Sequence, residues 1–137
     1  MICLDTNAVI ALLGGGGSPI RLRFEEAVGS GKTVAVSSVV LFELWFGAEK
    51  SARRETNARK IEAFQASPVQ ILDLDATDAE EAGRIRALLQ RSGTPIGPYD
   101  VLIAAQARRR GALLVTANTR EFARVPGLEL DNWIYPD

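Results

Sequence analysis

Short apolar segments with the length of buried strands alternate with longer segments that carry helix signals, and this alternation runs along the whole chain. Strands are predicted at residues 2–4, 33–36, 69–72, 113–115 and 128–130. Because parallel strands need long crossover connections, which helices supply, the alternation predicts an α/β fold around a mostly parallel sheet. At 137 residues the chain is predicted to form a single domain, over residues 1–137.

The segments between the strands begin with residues that cap helices. Helices are predicted at residues 8–13, 19–29, 38–50, 55–66, 77–90 and 99–110. Ser37 or Ser38 is the predicted N-cap of the third helix. Thr77 and Glu80 have the spacing of a capping box at the start of the fifth helix. The four glycines at 14–17 predict a flexible surface loop.

Histidine is absent from the chain, and Cys3 is the only cysteine. These two facts exclude a histidine-dependent serine triad and a histidine-based zinc site. Since the usual general base near neutral pH is missing, carboxylates are predicted to carry any chemistry. A single cysteine allows no internal disulfide and favours a reducing compartment, and Cys3 is interpreted as a small core residue.

Charge and hydropathy give no sign of an extended basic surface or of a membrane segment. The net charge is -1, so any binding of nucleic acid must use a local patch. The N-terminus lacks the basic and apolar regions of a signal peptide. The longest apolar stretch, at residues 34–46, is too short and too interrupted to span a membrane. A cytoplasmic protein without a membrane partner is therefore expected.

Three acidic residues lie where a carboxylate is unusual. Asp5 follows the first strand, Glu43 interrupts an apolar run in the helix that leaves the second strand, and Asp100 opens the helix that leads into the fourth. Parallel α/β sheets bind ligands at the carboxyl edge of their strands, and this topology brings the acids to that edge beside Thr116 and Asn118. Clustered carboxylates repel one another, and a hard cation such as Mg²⁺ relieves the repulsion through oxygen ligands.

Each of these acids also has a purely structural interpretation. Asp5 alone is explained as a helix cap, and Asp100 as an acid that complements the dipole of its helix. Glu43 is surrounded by apolar residues, so its helix is predicted to be buried on nearly every face. A buried carboxylate costs several kcal/mol, as a rough estimate, unless it is paired or bound to a metal. A salt bridge to an arginine and a functional role are therefore both open for Glu43.

The order of several motifs resembles that of PIN-domain nucleases over essentially the whole chain. The motifs are Leu4-Asp5-Thr6-Asn7, Phe42-Glu43-Leu44-Trp45-Phe46-Gly47 and Ile96-Gly97-Pro98-Tyr99-Asp100. The segment LVTANTREF at residues 114–122, with Asn132-Trp133 near the end, resembles the VapC-type branch of the family. That branch contains the toxins of type II toxin–antitoxin systems.

This resemblance implies a three-layer α/β/α fold and an endoribonuclease that depends on Mg²⁺ or Mn²⁺. It also implies an RNA substrate, a cognate VapB-type antitoxin and a homodimer, with operator DNA bound only through the antitoxin. In such a nuclease the cation lowers the pKa of a water molecule that attacks the phosphodiester, and this explains how hydrolysis proceeds without histidine.

The resemblance further assigns site residues. The first three acids of the family match Asp5, Glu43 and Asp100, which are the expected catalytic residues and metal ligands. Many PIN proteins carry an aspartate where this chain has Asn118, and Glu121, one helical turn further, is the expected replacement. This departure leaves open which of the two fills the fourth position and whether one or two metal ions bind. Three polar residues are expected to orient the acids: Thr6, Asn7 and Thr116.

Two other functions remain as alternatives. A phosphatase of the aspartyl-phosphate kind usually has a second aspartate two residues after the first and a late lysine, whereas this chain has Asn7 and its last lysine is Lys60. A non-catalytic interaction module with the same fold would not need the three acids. The arginines at 108–110 are interpreted as charges that complement a helix C-terminus. Trp45 and Phe46 are interpreted as core or dimer contacts, with base stacking as the lesser alternative.

Overall fold

A central sheet of five parallel strands organises the computed structural model, which describes residues 1–15 and 18–135. In chain order the elements are β1 (Ile2–Leu4), α1 (Thr6–Leu13), α2 (Pro19–Gly29), β2 (Val34–Ser37), α3 (Ser38–Glu49), α4 (Arg54–Gln65), β3 (Gln70–Leu72), α5 (Ala76–Arg91), α6 (Pro98–Arg109), β4 (Leu113–Val115), α7 (Thr119–Phe122) and β5 (Glu129–Asp131). The strand order is β3-β2-β1-β4-β5, and neighbouring strands run parallel. The predicted α/β fold is confirmed.

β1 is the central strand of the sheet, with β2 and β3 added on one side and β4 and β5 on the other. β1 lies between β2 and β4, and Leu4 is in register with Val36 on one side and Val115 on the other. Because crossovers between parallel strands are right-handed, connections that proceed in opposite directions place their helices on opposite faces of the sheet. The result is a three-layer α/β/α arrangement in which the carboxyl ends of β1, β2 and β4 meet at one edge.

The central strands form the middle of the hydrophobic core. All three residues of β1 and all four of β2 are buried. Strands that are covered on both faces are apolar at successive positions, and this is why these segments are recognisable in the sequence. Cys3 is buried among them, as predicted, and burial raises the pKa of its thiol to about 11. The thiol is therefore protonated at neutral pH.

The start of α5 differs from its prediction. Asp75 and Asp78 form the capping box, because each side chain accepts a hydrogen bond from the backbone N–H of the other. The predicted pair, Thr77 and Glu80, does not cap this helix, since α5 begins at Ala76, one residue earlier than expected. The helix α7 was not predicted either, because four residues are too few to show a helical period.

Other helix ends follow their predicted signals. Ser37 is the N-cap of α3, and its hydroxyl accepts a hydrogen bond from the N–H of Val39. Gly14 ends α1, but the predicted glycine loop is only partly covered, since Gly16 and Gly17 lie outside the described residues. In the described parts of the chain, no helix has the length and hydropathy needed to cross a membrane.

Candidate active site at the carboxyl edge of the sheet

Asp5 occupies the point where the central strand ends and α1 begins. It is 4% exposed, and its Oδ1 accepts a hydrogen bond from the N–H of Ala8 at 2.8 Å. Burial raises the pKa of Asp5, hydrogen bonds from Thr116 and Ala8 oppose this shift, and the negative charge of Glu43 adds to it. Asp5 is therefore both a helix cap and a member of a group of interacting carboxylates.

Glu43 is connected to α1 by a short hydrogen bond. The hydroxyl of Thr6 donates to Oε1 of Glu43 at 2.6 Å, although the two residues are 37 positions apart. No salt bridge between described residues involves Glu43. The prediction that α3 is buried on nearly every face is wrong, because Phe42 and Phe46 are 52% and 59% exposed. Glu43 itself is half-buried.

Asp100 lies in the first turn of α6, close to the other acids. Burial, followed by the negative charges of Glu121, Glu43 and Asp5, raises its pKa from 3.8 to about 6. Since three carboxylates act on Asp100, all four acids predicted from the sequence share one electrostatic field. The residue before α6 is Gly97, where a β-carbon would lie 3.2 Å from Oδ2 of Asp100. Glycine at this position leaves room for the Asp100 carboxylate.

Glu121 reaches the same region from the short helix α7. Its Oε2 accepts a hydrogen bond from the side-chain amide of Asn118 at 2.6 Å, and its Oε1 accepts one from the N–H of Gly97 at 3.3 Å. Asn118 is held in turn by its backbone N–H, which donates to the hydroxyl of Thr116 at 2.9 Å. The amide nitrogen of Asn118 therefore faces Glu121. In this arrangement Asn118 positions the glutamate, and Glu121 brings the fourth negative charge.

The four acids suit a hard cation by charge and by donor type. All of them offer carboxylate oxygens, and none forms an ion pair with a lysine or arginine among the described residues. Within residues 1–15 and 18–135, no three acidic or thiol side chains are close enough to hold one ion as they stand. Ligation of one ion by three of these acids would require their side chains to turn toward one another, whereas one or two of them can hold a hydrated Mg²⁺ ion. A bound cation would relieve the repulsion among the carboxylates, which contributes to the raised pKa of Asp100.

The three consecutive arginines at the end of α6 are engaged elsewhere. Arg109 and Arg110 pair with Asp78 at 2.7 Å and 2.9 Å, and Arg108 pairs with Glu81 at 3.0 Å. Asp78 is completely buried, and burial alone would raise its pKa. The two guanidinium groups nevertheless hold the pKa of Asp78 well below its usual range. These arginines therefore join α6 to α5, a more specific role than the predicted interaction with the helix dipole.

An open groove of about 360 Å³ lies between α1, α3 and α4 and reaches Glu43. Its apolar lining comes from all three helices: Ile10, Leu13, Leu44, Ala48 and Ile61. Glu43 is the one of the four acids that contributes to the wall of this groove.

Comparison with known proteins identifies the family. The model of the PIN domain matches residues 2–128, a range that contains all four acids. The chain belongs to the PIN-domain family. Within it, this PIN protein is 47% identical to the tRNA(fMet)-specific endonuclease VapC of Shigella flexneri over 130 residues, which are 95% of this chain and 96% of that protein.

Solved structures of PIN proteins agree with this placement. The DNA-bound VapBC of Salmonella typhimurium has 42% identity and a TM-score of 0.87, and the match covers 96% of this chain and 97% of that one. VapBC2 of Rickettsia felis, bound to a promoter DNA fragment, has 36% identity and a TM-score of 0.89, with coverage of 97% and 99%. The expected VapC-type branch of ribonuclease toxins is thus confirmed.

The sequence motifs of the PIN domain located most of the groups that the structure brings together. The four acids form one charged group. Thr6 is hydrogen-bonded to Glu43, and Thr116 is hydrogen-bonded to Asp5. Asn7, which was expected to orient the acids, is exposed on α1. Sequence reasoning missed the exposed rings of Phe42 and Tyr99 beside the acids. The sequence contains a signal for both rings, because Phe42 directly precedes Glu43 and Tyr99 directly precedes Asp100.

Proposed function

We propose that this PIN-domain chain is an endoribonuclease that depends on Mg²⁺ or Mn²⁺, with Asp5, Glu43, Asp100 and Glu121 as its catalytic carboxylates. The first three are the proposed metal ligands. The observation that carries the proposal is the approach of four carboxylates to one edge of the sheet, where none of them pairs with a lysine or arginine among the described residues. Burial and the charges of the other three raise the pKa of Asp100 to about 6, in agreement with this approach. When bound, a divalent cation supplies an activated water and neutralises negative charge on the phosphate oxygens.

The hydrogen bonds around the acids support this division of roles. Asp5 accepts hydrogen bonds from Ala8 and Thr116, which hold its carboxylate in place. Glu43 accepts from Thr6 on Oε1, and its other oxygen is left for a ligand. Glu121 accepts hydrogen bonds on both of its oxygens. A glutamate held in this way is better suited to supply negative charge beside the site than to ligate the cation directly.

We further propose an initiator transfer RNA, tRNA(fMet), as the substrate. The support is the 47% identity, over nearly the full length of both chains, to the VapC protein of Shigella flexneri that is named for specificity toward tRNA(fMet). The net charge of -1 is compatible with a folded RNA substrate only if the contacts with its phosphates are local.

Cleavage of a tRNA(fMet) transcript by the purified chain tests the proposal. The wild type should cut the transcript in Mg²⁺, and Asp5→Asn and Asp100→Asn should each abolish cleavage while circular dichroism shows a folded protein. Asp73→Asn is the matched control, because Asp73 is exposed and its charge does not act on Asp100. Full activity of either site variant, or of the wild type in excess chelator, refutes the mechanism. Equal cleavage of an elongator tRNA refutes the proposed specificity for tRNA(fMet) but leaves the mechanism intact.

Titration with Mg²⁺ or Mn²⁺, followed by calorimetry, separates this function from the alternatives. A non-catalytic module of the PIN fold would bind neither cation at the acids. A phosphatase-type carboxylate enzyme would bind Mg²⁺ but would release phosphate from a small phosphomonoester and leave the transcript intact.

We also propose that the chain forms a homodimer, binds a VapB-type antitoxin and contacts operator DNA only through that antitoxin. The support is the likeness to VapBC complexes whose structures contain DNA. The apolar groove suits a segment of the antitoxin, since a peptide in this groove would also reach the acids. Expression of the chain alone should arrest growth, and co-expression of the antitoxin should restore it. A chain that is harmless at high expression in its native host would contradict the toxin role.

A further inference from the structure

Three exposed aromatic residues lie beside the acids and have no part in the proposed chemistry. Phe42, Phe46 and Tyr99 are 52%, 59% and 46% exposed. Phe42 directly precedes Glu43 in α3, and Tyr99 directly precedes Asp100 in α6. Single exposed apolar residues are ordinary, but a contiguous group of exposed rings marks a binding surface. Because two of these rings directly precede Glu43 and Asp100, a molecule bound at the acids would also contact the rings.

Phe42 and Tyr99 meet across the gap between α3 and α6. Their ring centroids are 5.4 Å apart, and their planes are inclined by 62°. In an edge-to-face pair the edge of one ring points at a face of the other, so one of the two rings keeps both of its faces free of its partner. Because about half of each residue is exposed, ring surface is open to a further planar group.

A positive charge continues the same side of α3. Phe42, Phe46 and Lys50 follow at intervals of four residues, which places them in a row along a helix. The Nζ of Lys50 lies 4.8 Å from the ring centroid of Phe46. The row therefore begins at the acids and ends at a cation. Proteins hold single-stranded nucleic acid with this combination, in which bases stack on rings and phosphates follow the positive charges.

We infer that Phe42 and Tyr99 stack against an unpaired base of the RNA, next to the phosphodiester held at the acids. The inference rests on the proposed function and adds a requirement on the substrate. The nucleotide beside the cut must be unpaired, because a base stacked inside a duplex has no free face. A nucleotide whose phosphate reaches Glu43 and Asp100 brings its base to the adjoining rings, and Lys50 faces the RNA backbone further along the same row.

The test measures RNA binding in an Asp5→Asn background, which leaves the RNA intact. The probes are RNA hairpins with 2-aminopurine at one loop position each, because the fluorescence of this base falls when it stacks on an aromatic ring. Phe42→Ala and Tyr99→Ala should each weaken binding about 5- to 150-fold, the range expected for loss of one base–aromatic stack. Both variants should also lose the quenching at the stacked position.

Control variants separate stacking from a general loss of structure. Tyr99→Phe and Tyr99→Trp keep a ring, so they should keep both the affinity and the quenching. Leu22→Ala removes an exposed apolar side chain from α2 and should change neither signal. A fully paired duplex of the same length should bind the wild type and the alanine variants equally, because it offers no unpaired base.

Three results would overturn the inference. The first is unchanged affinity and quenching in both alanine variants. The second is a loss of both signals in Tyr99→Trp, which would show that a ring is not sufficient at that position. The third is conversion of a dimer into a monomer by either alanine variant, measured by light scattering, which would assign the rings to a contact between two copies. If any of these results is obtained while the wild type cuts tRNA(fMet), only the stacking inference is refuted. If the wild type cuts no RNA, the proposed nuclease function is refuted.

Discussion

Replacing Asp100 with asparagine should stabilise the metal-free protein at neutral pH, although it removes a proposed catalytic carboxylate. Burial and the charges of Glu121, Glu43 and Asp5 raise the pKa of Asp100 from 3.8 to about 6. The carboxyl group therefore holds its proton more tightly in the folded state than in the unfolded state. The resulting contribution to the free energy of unfolding is fully present below the unfolded pKa and is lost as the pH rises through the folded pKa.

The size of this effect follows from the pKa difference. A rise from 3.8 to about 6 corresponds to about 3 kcal/mol at about 1.4 kcal/mol for each pH unit. Asp100 is partly exposed, and screening by solvent should reduce the effect to about 1.5 kcal/mol. Urea unfolding in excess chelator measures it. Between about pH 4 and about pH 7.5 the wild type should lose that amount relative to Asp100→Asn.

Asp73→Asn is the control for this experiment, since it makes the same chemical change at an exposed aspartate. Its unfolding free energy should follow that of the wild type at both pH values. If the wild type and Asp100→Asn show the same pH dependence, the repulsion among the acids does not weaken the fold. The four carboxylates would then not act as one electrostatic group.

Three further predictions address the metal, the fourth acid and the arginine cluster. Mg²⁺ or Mn²⁺ at a hundredfold excess over its Kd should raise the unfolding free energy of the wild type by about 2.7 kcal/mol, and that of Asp100→Asn much less. Equal increases in thermal melts would remove Asp100 from the metal site. Glu121→Gln should slow cleavage sharply. Asn118→Ala should slow it less, because Asn118 acts through its 2.6 Å hydrogen bond to Glu121. The opposite ranking of initial cleavage rates would assign the fourth acidic position to Asn118. Asp78→Asn should lower the unfolding free energy by about 3 kcal/mol in urea, because it removes the buried charge that pairs with Arg109 and Arg110. A loss below about 1 kcal/mol would place that cluster among ordinary surface ion pairs.

The strands and most helix ends were predictable because their signals are local. Residues 2–4 form an apolar run with no room for a helix, and Ser37 has the side chain that caps one. The approach of the acids was predictable for a related reason. In a parallel sheet, the order of strands and helices alone decides which residues reach the carboxyl edge.

Features that depend on contacts between distant segments were not predictable. The apolar run around Glu43 predicted a buried helix, but α3 packs on α1, α4 and α6 and still leaves Phe42 and Phe46 exposed. Composition does not distinguish an apolar residue of the core from one on a binding surface. Asp78 has the pattern of a capping residue, and only the return of α6 alongside α5 brings Arg109 and Arg110 to it.

The order of the strands matters while the protein is being synthesised. β1 is synthesised before the other four strands and lies at the centre of the sheet, yet its neighbour β4 begins only at Leu113. The carboxylates are likewise spread from Asp5 to Glu121. A growing chain that has not reached β4 therefore has a central strand with one side unpaired and lacks Glu121. The proposed site of this toxin therefore cannot assemble before Glu121 has been synthesised, so a growing chain that has not reached this residue lacks the complete set of acids.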